Sequence, residues 1–273
     1  MQAMQHKHPR IITLANQKGG VGKTTTTVNL ATALCAMGQR VLLVDMDAQG
    51  NATTGLGINK NKVTKSVYDV LGGTAKPYEI AIKTKVPNLS VIPATVHLSG
   101  AEVELATAKN REGRLRDALH TPLPYDYVLI DSPPSLNFLT LNSLVAAHAV
   151  IIPMQCEFYA MEGLTQLYKT IQLVKKRFNP ALELHGIALT MVDRRNRVTG
   201  MVENEVRKFF KDKVYKTVIP RNVRLSEAPS HGLPAIVYDI KCKGAQSYIA
   251  LAKEVITREK ETYNQTDLKA EVA

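Results

Sequence analysis

The sequence predicts an α/β protein whose doubly wound, mostly parallel sheet is flanked by helices on both faces. Short apolar runs alternate along the whole chain with longer segments that carry apolar residues at helical spacing. A glycine-rich turn separates the first apolar run from the first helical segment. The 273 residues, 45% of them hydrophobic, suffice for a large core. We expect one domain over residues 1–263 and a loose polar tail at 264–273.

Seven strands are predicted in chain order. The second of them, residues 41–44, is wholly apolar, as expected where both faces of a parallel sheet are covered. The fourth, residues 127–130, runs directly into an aspartate. The predicted strands are residues 11–15, 41–44, 89–92, 127–130, 149–153, 186–192 and 217–219.

The segments between the strands predict helices. The first has Val28, Ala31 and Leu34 at helical spacing, and Gly38 is a plausible stop signal. The segment 163–178 is amphipathic, with apolar residues on one face. The predicted helices are residues 24–37, 100–119, 163–178, 202–210 and 244–262.

The charge balance suggests a polyanionic partner. The chain has 35 Lys and Arg against 24 Asp and Glu, a formal net charge of +11. Nucleic acid or an anionic membrane surface would fit this charge, and so would a merely basic protein. Three widely spaced cysteines without a C-x-x-C pair disfavour disulfides and zinc, which favours a reducing, cytoplasmic location. No apolar run reaches transmembrane length, and no signal-peptide pattern is present.

The most informative segment is N-Q-K-G-G-V-G-K-T-T at positions 16–25, between a predicted strand and a predicted helix. Glycines let consecutive backbone N–H groups cradle phosphate oxygens at a helix N-terminus. A lysine serves the β- and γ-phosphates and a threonine hydroxyl serves Mg²⁺, which assigns Lys23 and Thr24. Gln17 stands where the strict motif has its first glycine. The alternative is a glycine-rich turn without a ligand. The predicted nucleotide-binding residues of this loop are Lys18, Gly19, Gly20, Val21, Gly22, Lys23, Thr24 and Thr25.

Two predicted strands end in carboxylates. Asp45 and Asp47 follow residues 41–44, and Asp131 follows residues 127–130. Ligands of doubly wound sheets bind outside the carboxyl ends of the strands. Asp131 therefore has the arrangement of a Walker B aspartate, which holds Mg²⁺ directly or through water. A carboxylate can also orient a hydrolytic water, although Asp45 and Asp47 could instead be solvated loop acids.

These motifs resemble those of the ParA/MinD ATPases. K-G-G-V-G-K-T-T is similar to their deviant Walker A motif, V-D-M-D-A-Q-G-N to their second motif, and D-S-P-P to their D-x-P-P signature. The resemblance implies that Lys18 reaches across an ATP-sandwich dimer to the partner's nucleotide. It further implies that Asp47 positions the attacking water and that Asp45 helps to organise Mg²⁺. The catalytic set is then Lys18, Lys23 and Asp47, and the metal set is Thr24, Asp45 and Asp131. Ala48 replaces the family's usual proline.

Positive charge is concentrated in the last third of the chain. Residues 194–224 contain ten Lys and Arg against three Asp and Glu, a surplus of seven. Such a surplus is typical of binding to a phosphate backbone, and no base-reading motif accompanies it. We therefore expect binding without sequence preference. The alternative is a solvated basic face.

The string P-R-N-V-R-L-S-E-A-P-S closely resembles a ParA/Soj signature. The resemblance implies that Pro220 and Asn222 frame the adenine and that Arg195 and Arg224 lie on a DNA-binding face. Val192 replaces the family's usual tyrosine in the T-M-x-D segment.

The resemblance to this family also implies an activity, cofactors and partners for the chain. The resemblance implies a slow, partner-stimulated chromosome-partitioning ATPase with ATP and Mg²⁺ as cofactors. It also implies an ATP-dependent homodimer that binds non-specific double-stranded DNA, a ParB-type centromere-binding partner, and a cytoplasmic, nucleoid-associated location.

Two other functions share the same ATPase core. A MinD-like membrane-cycling ATPase would end in an apolar and basic amphipathic helix, but residues 253–273 have no Phe or Trp and include several acids. No membrane partner is therefore expected. A reductase that resembles the nitrogenase iron protein would need cluster cysteines, and Cys156 has no evident second ligand.

Overall fold

The computed structural model describes residues 8–271, with side chains described for residues 8–261. The strands are β1 (Arg10–Leu14), β2 (Val41–Asp45), β3 (Ile82–Lys83), β4 (Leu89–Ile92), β5 (Tyr127–Asp131), β6 (Ala149–Gln155), β7 (Glu183–Val192) and β8 (Val214–Pro220). They form one sheet in the order β3-β4-β2-β5-β1-β6-β7-β8. Only β3 of these strands is antiparallel to its neighbour. The parallel strands therefore present their carboxyl ends along one edge, called the carboxyl edge below.

Helices connect the strands. The α-helices are α1 (Lys23–Ala36), α2 (Asn51–Gly55), α3 (Val67–Gly72), α4 (Pro77–Ile80), α5 (Ala101–Glu104), α6 (Arg114–Leu119), α7 (Phe138–Ala146), α8 (Ala160–Arg177), α9 (Arg197–Phe210), α10 (Val223–Glu227), α11 (Ala235–Tyr238) and α12 (Lys243–Glu271). Within the described residues, none of these helices combines the length and hydropathy needed to cross a bilayer.

The two faces of the sheet bury separate cores. Ile11 and Leu42 belong to a core that includes residues of α3, α6, α7, α8 and α9. Their chain neighbours Ile12 and Leu43 belong to a second core with residues of α1 and α12. Consecutive strand residues point to opposite faces, so a sheet covered on both sides needs continuous apolar strands. The predicted doubly wound α/β fold is thus confirmed.

Helix α1 lies beneath the candidate site and is buried along most of its length. Its polar side chains have internal partners: Thr26 Oγ1 lies 3.1 Å from the hydroxyl of Tyr248, and Thr32 Oγ1 donates to the carbonyl of Val28 at 2.8 Å. The sheet on one side and α12 on the other therefore hold α1 in place. A rigid helix at this position fixes the loop that precedes it.

The prediction of one helix over residues 100–119 is wrong. Helix α5 ends at Glu104, α6 begins at Arg114, and Asn110 between them is left-handed with φ 54°. Asn142 on α7 holds this region, because its Oδ1 accepts from the Leu115 N–H at 3.2 Å and its Nδ2 donates to the Arg111 carbonyl at 3.1 Å. Hydrogen bonds to the side chain of Asn142, on a distant helix, thus satisfy main-chain groups of this region in place of a continuous helix.

Other boundaries also differ from the predicted ones. Helix α9 begins at Arg197, five residues before the predicted start at 202. The sequence pattern does not predict α7, because this helix is buried on nearly every side and lacks the alternation of apolar and charged residues that marks a surface helix. The predicted tail at 264–273 falls where side chains are not described, so it and the single-domain boundary remain predictions.

Candidate nucleotide-binding and catalytic site

The glycine-rich loop connects β1 to α1 at the carboxyl edge. Gly20 and Gly22 have φ values of 74° and 85°, a left-handed conformation that residues with side chains rarely adopt. Gly22 is also the N-cap of α1. The loop therefore places backbone N–H groups at the positive end of a buried helix, which is a favourable environment for a phosphate anion.

Two hydrogen bonds fasten this loop to neighbouring strands. Asn16 Nδ2 donates to the carbonyl of Pro153 on β6 at 2.7 Å. Thr190 Oγ1 on β7 donates to the carbonyl of Val21 at 2.7 Å. Sequence reasoning assigned no role to these two side chains. Asn16 belongs to the motif and could have been found there, whereas Thr190 lies 169 positions from its partner and carries no local signal.

Lys23 is buried and folds back beneath the loop. Its Nζ donates to the main-chain carbonyl of Lys18 at 3.0 Å. Burial lowers the pKa of Lys23, and the nearby charges of Asp131 and Asp47 partly oppose that shift. The lysine ammonium thus lies close to two of the predicted carboxylates, as a phosphate-binding lysine beside a metal site requires.

Asp131, the last residue of β5, receives hydrogen bonds from α1. Thr24 Oγ1 donates to Asp131 Oδ2 at 2.7 Å, and Thr27 Oγ1 donates to Asp131 Oδ1 at 3.0 Å. The two predicted metal-binding groups Thr24 and Asp131 are therefore in direct contact. Sequence reasoning missed Thr27, although its position one helical turn after Lys23 is a signal that could have indicated it.

Asp45, the last residue of β2, is held by the start of α2. Its Oδ2 accepts from the Thr53 N–H at 2.8 Å and from Thr53 Oγ1 at 2.7 Å. Its Oδ1 accepts from the N–H of Asp47 at 3.2 Å. Thr53 is a further residue that sequence reasoning did not identify. These contacts fix the carboxylate next to β5, where Asp45 is in register with Asp131.

The buried pair Asp45 and Asp131 is electrostatically unfavourable without a cation. Burial raises the pKa of both carboxyl groups, and the charge of Asp45 raises the pKa of Asp131 further. Among the described residues, no group of three or more His, Cys, Asp or Glu could hold a metal ion. Mg²⁺ at phosphate sites usually takes one or two carboxylates, with waters and phosphates as its other ligands. The donor set of Thr24, Asp45 and Asp131 fits that requirement.

Asp47 lies just beyond β2 and is half-buried. Its Oδ1 accepts from the Gln49 N–H at 3.0 Å, and its main-chain carbonyl accepts from the Gly50 N–H at 2.8 Å. Its charge acts on the pKa of both Lys23 and Asp131, which places it beside the cluster. Ala48, in the position of the family's proline, packs against the core and removes no polar group.

Lys18 does not join this cluster. Its Nζ contacts the carboxylate of Glu157, which follows β6 in the same chain. The side chain of Lys18 is 53% exposed and that of Glu157 is 43% exposed. The Lys18 N–H also donates to Asn16 Oδ1 at 3.0 Å. The predicted catalytic lysine therefore lies at the surface, outside the buried group formed by Lys23 and the aspartates.

Pro220 and Asn222 lie at the far end of the carboxyl edge. Pro220 ends β8 and is in register with Val192 of β7. Asn222 is the N-cap of α10, and its Oδ1 accepts from the Arg224 N–H at 3.0 Å. The cap fixes the side chain and leaves the amide NH₂ group as a donor for a ligand.

Arg195 and Arg224 follow the neighbouring strands β7 and β8, so both lie at the carboxyl edge. Arg195 binds both carboxylate oxygens of Asp193, at 2.9 and 2.7 Å. Arg224 donates to Glu227 at 2.7 Å. These pairs are exposed and screened by salt, so an incoming phosphate can compete for the guanidinium groups.

The basic stretch 194–224 does not form one surface. Arg195 and Arg224 lie at the carboxyl edge, whereas Lys211 and Lys213 precede the first residue of β8 and therefore lie at the opposite edge. Arg207 is bound to Glu203 at 3.0 Å and to the Tyr215 carbonyl at 3.0 Å. The surplus of seven charges thus overstates what a single face can offer to DNA.

Comparison with known proteins gives consistent matches over the chain. Residues 9–184 match the family described as AAA domain. Chromosome partitioning protein ParA of Caulobacter vibrioides (strain NA1000 / CB15N) is 56% identical over 255 residues, which cover 92% of this chain and 96% of that protein. Sporulation initiation inhibitor protein Soj of Bacillus subtilis (strain 168) is 57% identical over 247 residues, which cover 90% of this chain and 98% of that protein.

A solved structure extends the comparison to the fold. Cobyrinic acid a,c-diamide synthase from Mycobacterium smegmatis, with bound ATP analog and magnesium, matches with a TM-score of 0.81 and 38% identity, covering 92% of this chain and 96% of that one. Fold and site together define a P-loop ATPase with a deviant Walker A motif. The chain belongs to the ParA/Soj family of chromosome-partitioning ATPases.

Proposed function

We propose that the chain is an ATP-gated DNA clamp for chromosome partitioning. In this proposal, ATP closes two protomers face to face, and the closed dimer binds double-stranded DNA without sequence preference. The observation that carries the proposal is the cluster formed by Lys23 and Thr24 at the start of α1 with Asp45 and Asp131 at the ends of β2 and β5. This cluster supplies the groups that a Mg-ATP site requires.

Different residues around the loop bind the phosphates, the Mg²⁺ and the adenine. The N–H groups of residues 19–22 and the ammonium of Lys23 hold the β- and γ-phosphates, with the backbone of Gly20 and Gly22 setting the curvature of the loop. Thr24 and Asp131 would hold Mg²⁺, and Asp45 would help to organise it and its waters. Bound Mg²⁺ neutralises phosphate charge. Pro220 fixes the backbone beside the adenine, and the Asn222 amide donates to the base edge.

Hydrolysis depends on two further residues. Asp47 lies next to the cluster and orients the attacking water, whose proton its carboxylate can accept. Lys18 acts on the partner's nucleotide, where a cation supplied in trans stabilises charge on the transferred phosphoryl group. The exposed contact of Lys18 with Glu157 contributes about 0–1 kcal/mol to stability. Lys18 can therefore readily leave Glu157 and bind a phosphate. Full activity therefore requires the dimer.

The DNA-binding face contains Arg195 and Arg224. Both lie at the same edge of the sheet as the nucleotide loop, so closure of two protomers there would bring four of these arginines onto one assembly. Each additional phosphate contact steepens the dependence of log K on log salt by about 0.9. Binding that needs both protomers is therefore weak in the monomer and strongly salt-dependent in the dimer.

A partner completes the cycle. The relatives' role in chromosome partitioning supports a ParB-type centromere-binding protein that stimulates hydrolysis and so releases the DNA. A cytoplasmic, nucleoid-associated location belongs to the same proposal, since the DNA contacts require no particular sequence.

Light scattering of the Asp47→Ala variant tests the proposed dimer. This variant should double in mass from 30.1 kDa in Mg-ATP and remain a monomer in Mg-ADP. Asp212→Ala, which removes an exposed carboxylate at the opposite edge, is the matched control and should dimerise only while its ATP lasts. A monomer in Mg-ATP that still binds the nucleotide would contradict the proposal.

A further inference from the structure

A cavity lies away from the nucleotide site. Its volume is about 650 Å³, and it is bounded by α3, the following turn and α4 on one side and by α6 on the other. Its apolar lining includes Val70, Ala75, Pro77, Tyr78 and Ala118. Neither the glycine-rich loop nor the cluster of aspartates contributes to it. Cavities of about 300–1,000 Å³ are typical of small-molecule sites.

Arg114, the first residue of α6, lines this cavity, and its side chain contains a buried donor that is unpaired. Its Nε donates no hydrogen bond within the described residues, where only the side-chain Nε2 of Gln17 is in the same situation. No carboxylate of the described residues forms a salt bridge with Arg114. A Cβ built on Gly73 would lie 3.8 Å from Arg114 Nη1, so the guanidinium lies against a glycine at the cavity wall. A buried donor left unpaired is costly, which indicates that something else satisfies it.

The charges around Arg114 favour an anion. Lys76 and Lys109 also line the cavity, and neither forms a salt bridge within the described part of the chain. The carboxylate in the lining is Asp117, which is already occupied by Asn110 Nδ2 at 2.6 Å and by Arg116 at 3.0 Å. Three cationic residues thus line the cavity, against one acid that already has partners.

We propose that this cavity binds a small organic anion, in which a phosphate or carboxylate is attached to a flat apolar body. The planar guanidinium of Arg114 binds the anionic group through paired N–H donors, and Lys109 adds charge. The ring of Tyr78, which is 55% exposed, and the neighbouring apolar wall contact the body of the ligand. The site is separate from the ATP site and does not depend on the function proposed above.

Fluorescence titration with 8-anilinonaphthalene-1-sulfonate, a flat aromatic anion, tests the proposal on the full chain. The variants are Arg114→Ala and Arg114→Gln, the second of which keeps a polar side chain in case the first destabilises α6. Arg177→Ala removes the same charge from an exposed position at the end of α8 and is the matched control. Lys23→Ala changes the nucleotide site and therefore shows whether the probe binds there and not in this cavity. Retained ATP hydrolysis verifies that both Arg114 variants are folded.

We expect one saturable site, weakened about tenfold or more in both Arg114 variants and unchanged in Arg177→Ala and Lys23→Ala. Phenyl phosphate and benzoate should displace the probe, the stronger of the two identifying the anionic group, whereas neutral phenol should not. Equal probe affinity in the folded Arg114 variants, loss of binding in Lys23→Ala, or equal displacement by phenol would overturn the proposal.

Discussion

Thr24 Oγ1 donates a 2.7 Å hydrogen bond to Oδ2 of Asp131, although the two residues are 107 positions apart. The bond joins the first turn of α1 to the carboxyl end of β5. It places a hydroxyl and a carboxylate, both suited to Mg²⁺, beside the loop that receives the phosphates. The fold alone therefore brings together two of the groups that we propose to bind Mg²⁺.

The charge of Asp131 should destabilise the nucleotide-free protein, because burial and Asp45 both raise its pKa. Asp131→Asn removes that charge but keeps an oxygen for Thr24. We expect its unfolding temperature without nucleotide to rise by roughly 2–4 °C, corresponding to about 1 kcal/mol. Added Mg-ATP should then stabilise the variant less than the parent, and hydrolysis should fall about 10–100-fold. Differential scanning fluorimetry and phosphate release measure both effects.

Asp212→Asn serves as the control for that variant, since Asp212 is exposed and lies at the opposite edge of the sheet. It should change neither the unfolding temperature, with or without Mg-ATP, nor the rate of hydrolysis. Full stabilisation of Asp131→Asn by Mg-ATP would show that Asp131 has no part in metal binding.

Asp47→Ala should uncouple binding from hydrolysis. The Asp47 carboxylate lies beside the cluster and accepts its hydrogen bond from Gln49 rather than from the phosphate loop, so ATP affinity should change little. Loss of the group proposed to orient the attacking water should slow hydrolysis by about 10²–10⁴-fold. Equilibrium binding of a fluorescent ATP analogue and single-turnover phosphate release separate the two quantities. Unimpaired turnover would remove Asp47 from the catalytic set.

Arg195→Glu and Arg224→Glu should abolish DNA binding and leave nucleotide binding intact. Both arginines are exposed at the carboxyl edge, so replacing them removes the charge that we propose to contact DNA phosphates without disturbing the core. The milder Arg195→Ala should lower the salt slope by about 0.9 for each DNA phosphate that the arginine no longer neutralises. Lys213→Glu makes the same charge change at the opposite edge, and it should bind DNA almost normally. Equal weakening in Lys213→Glu would mean that net charge, not this face, determines binding.

The stability of the fold should depend on His148 between about pH 6.5 and pH 4. Its Nδ1 accepts from the Ile11 N–H at 2.9 Å, so the folded state requires this nitrogen to be unprotonated. Burial lowers the pKa of His148 to about 4, compared with about 6.5 in the unfolded chain. The unfolded state therefore binds the proton first as the pH falls, and the free energy of unfolding should decrease by about 3 kcal/mol across this window.

Urea unfolding of the parent and His148→Gln at pH 7 and pH 4.5 measures this contribution. Glutamine keeps an acceptor for Ile11 but does not titrate, so the variant should lose less stability than the parent on acidification. Titrating groups distant from His148 are common to both proteins and cancel in the comparison, whereas His120 and Glu259 interact with His148 and contribute to the measured difference. An identical decrease in both would refute the role of His148.

The sequence predicts those strands and loops of this molecule that have a local sequence pattern. Wholly apolar runs such as β2 indicate buried parallel strands, and the glycines around Gly22 indicate the phosphate loop. The carboxylates at Asp45 and Asp131 could be assigned to one edge because parallel strands end together.

What the sequence does not predict depends on long-range contacts. Asn142 interrupts the helix expected over 100–119, and Thr190 fastens the phosphate loop from another strand. The basic stretch 194–224 is compact in sequence, but α9 and β8 both lie within it, so Lys211 and Lys213 are at the opposite edge of the sheet from Arg195 and Arg224. No local pattern reveals such contacts, because each requires the three-dimensional arrangement of the sheet.

Fluorescence anisotropy of a random-sequence duplex tests the proposed nucleotide-gated DNA binding most directly. The duplex is titrated with the full chain in Mg-ATP, in Mg-ADP and without nucleotide, at two salt concentrations. We predict tight, salt-sensitive binding in Mg-ATP alone. Equal binding in all three conditions would show a merely basic surface and would contradict the ATP-gated clamp.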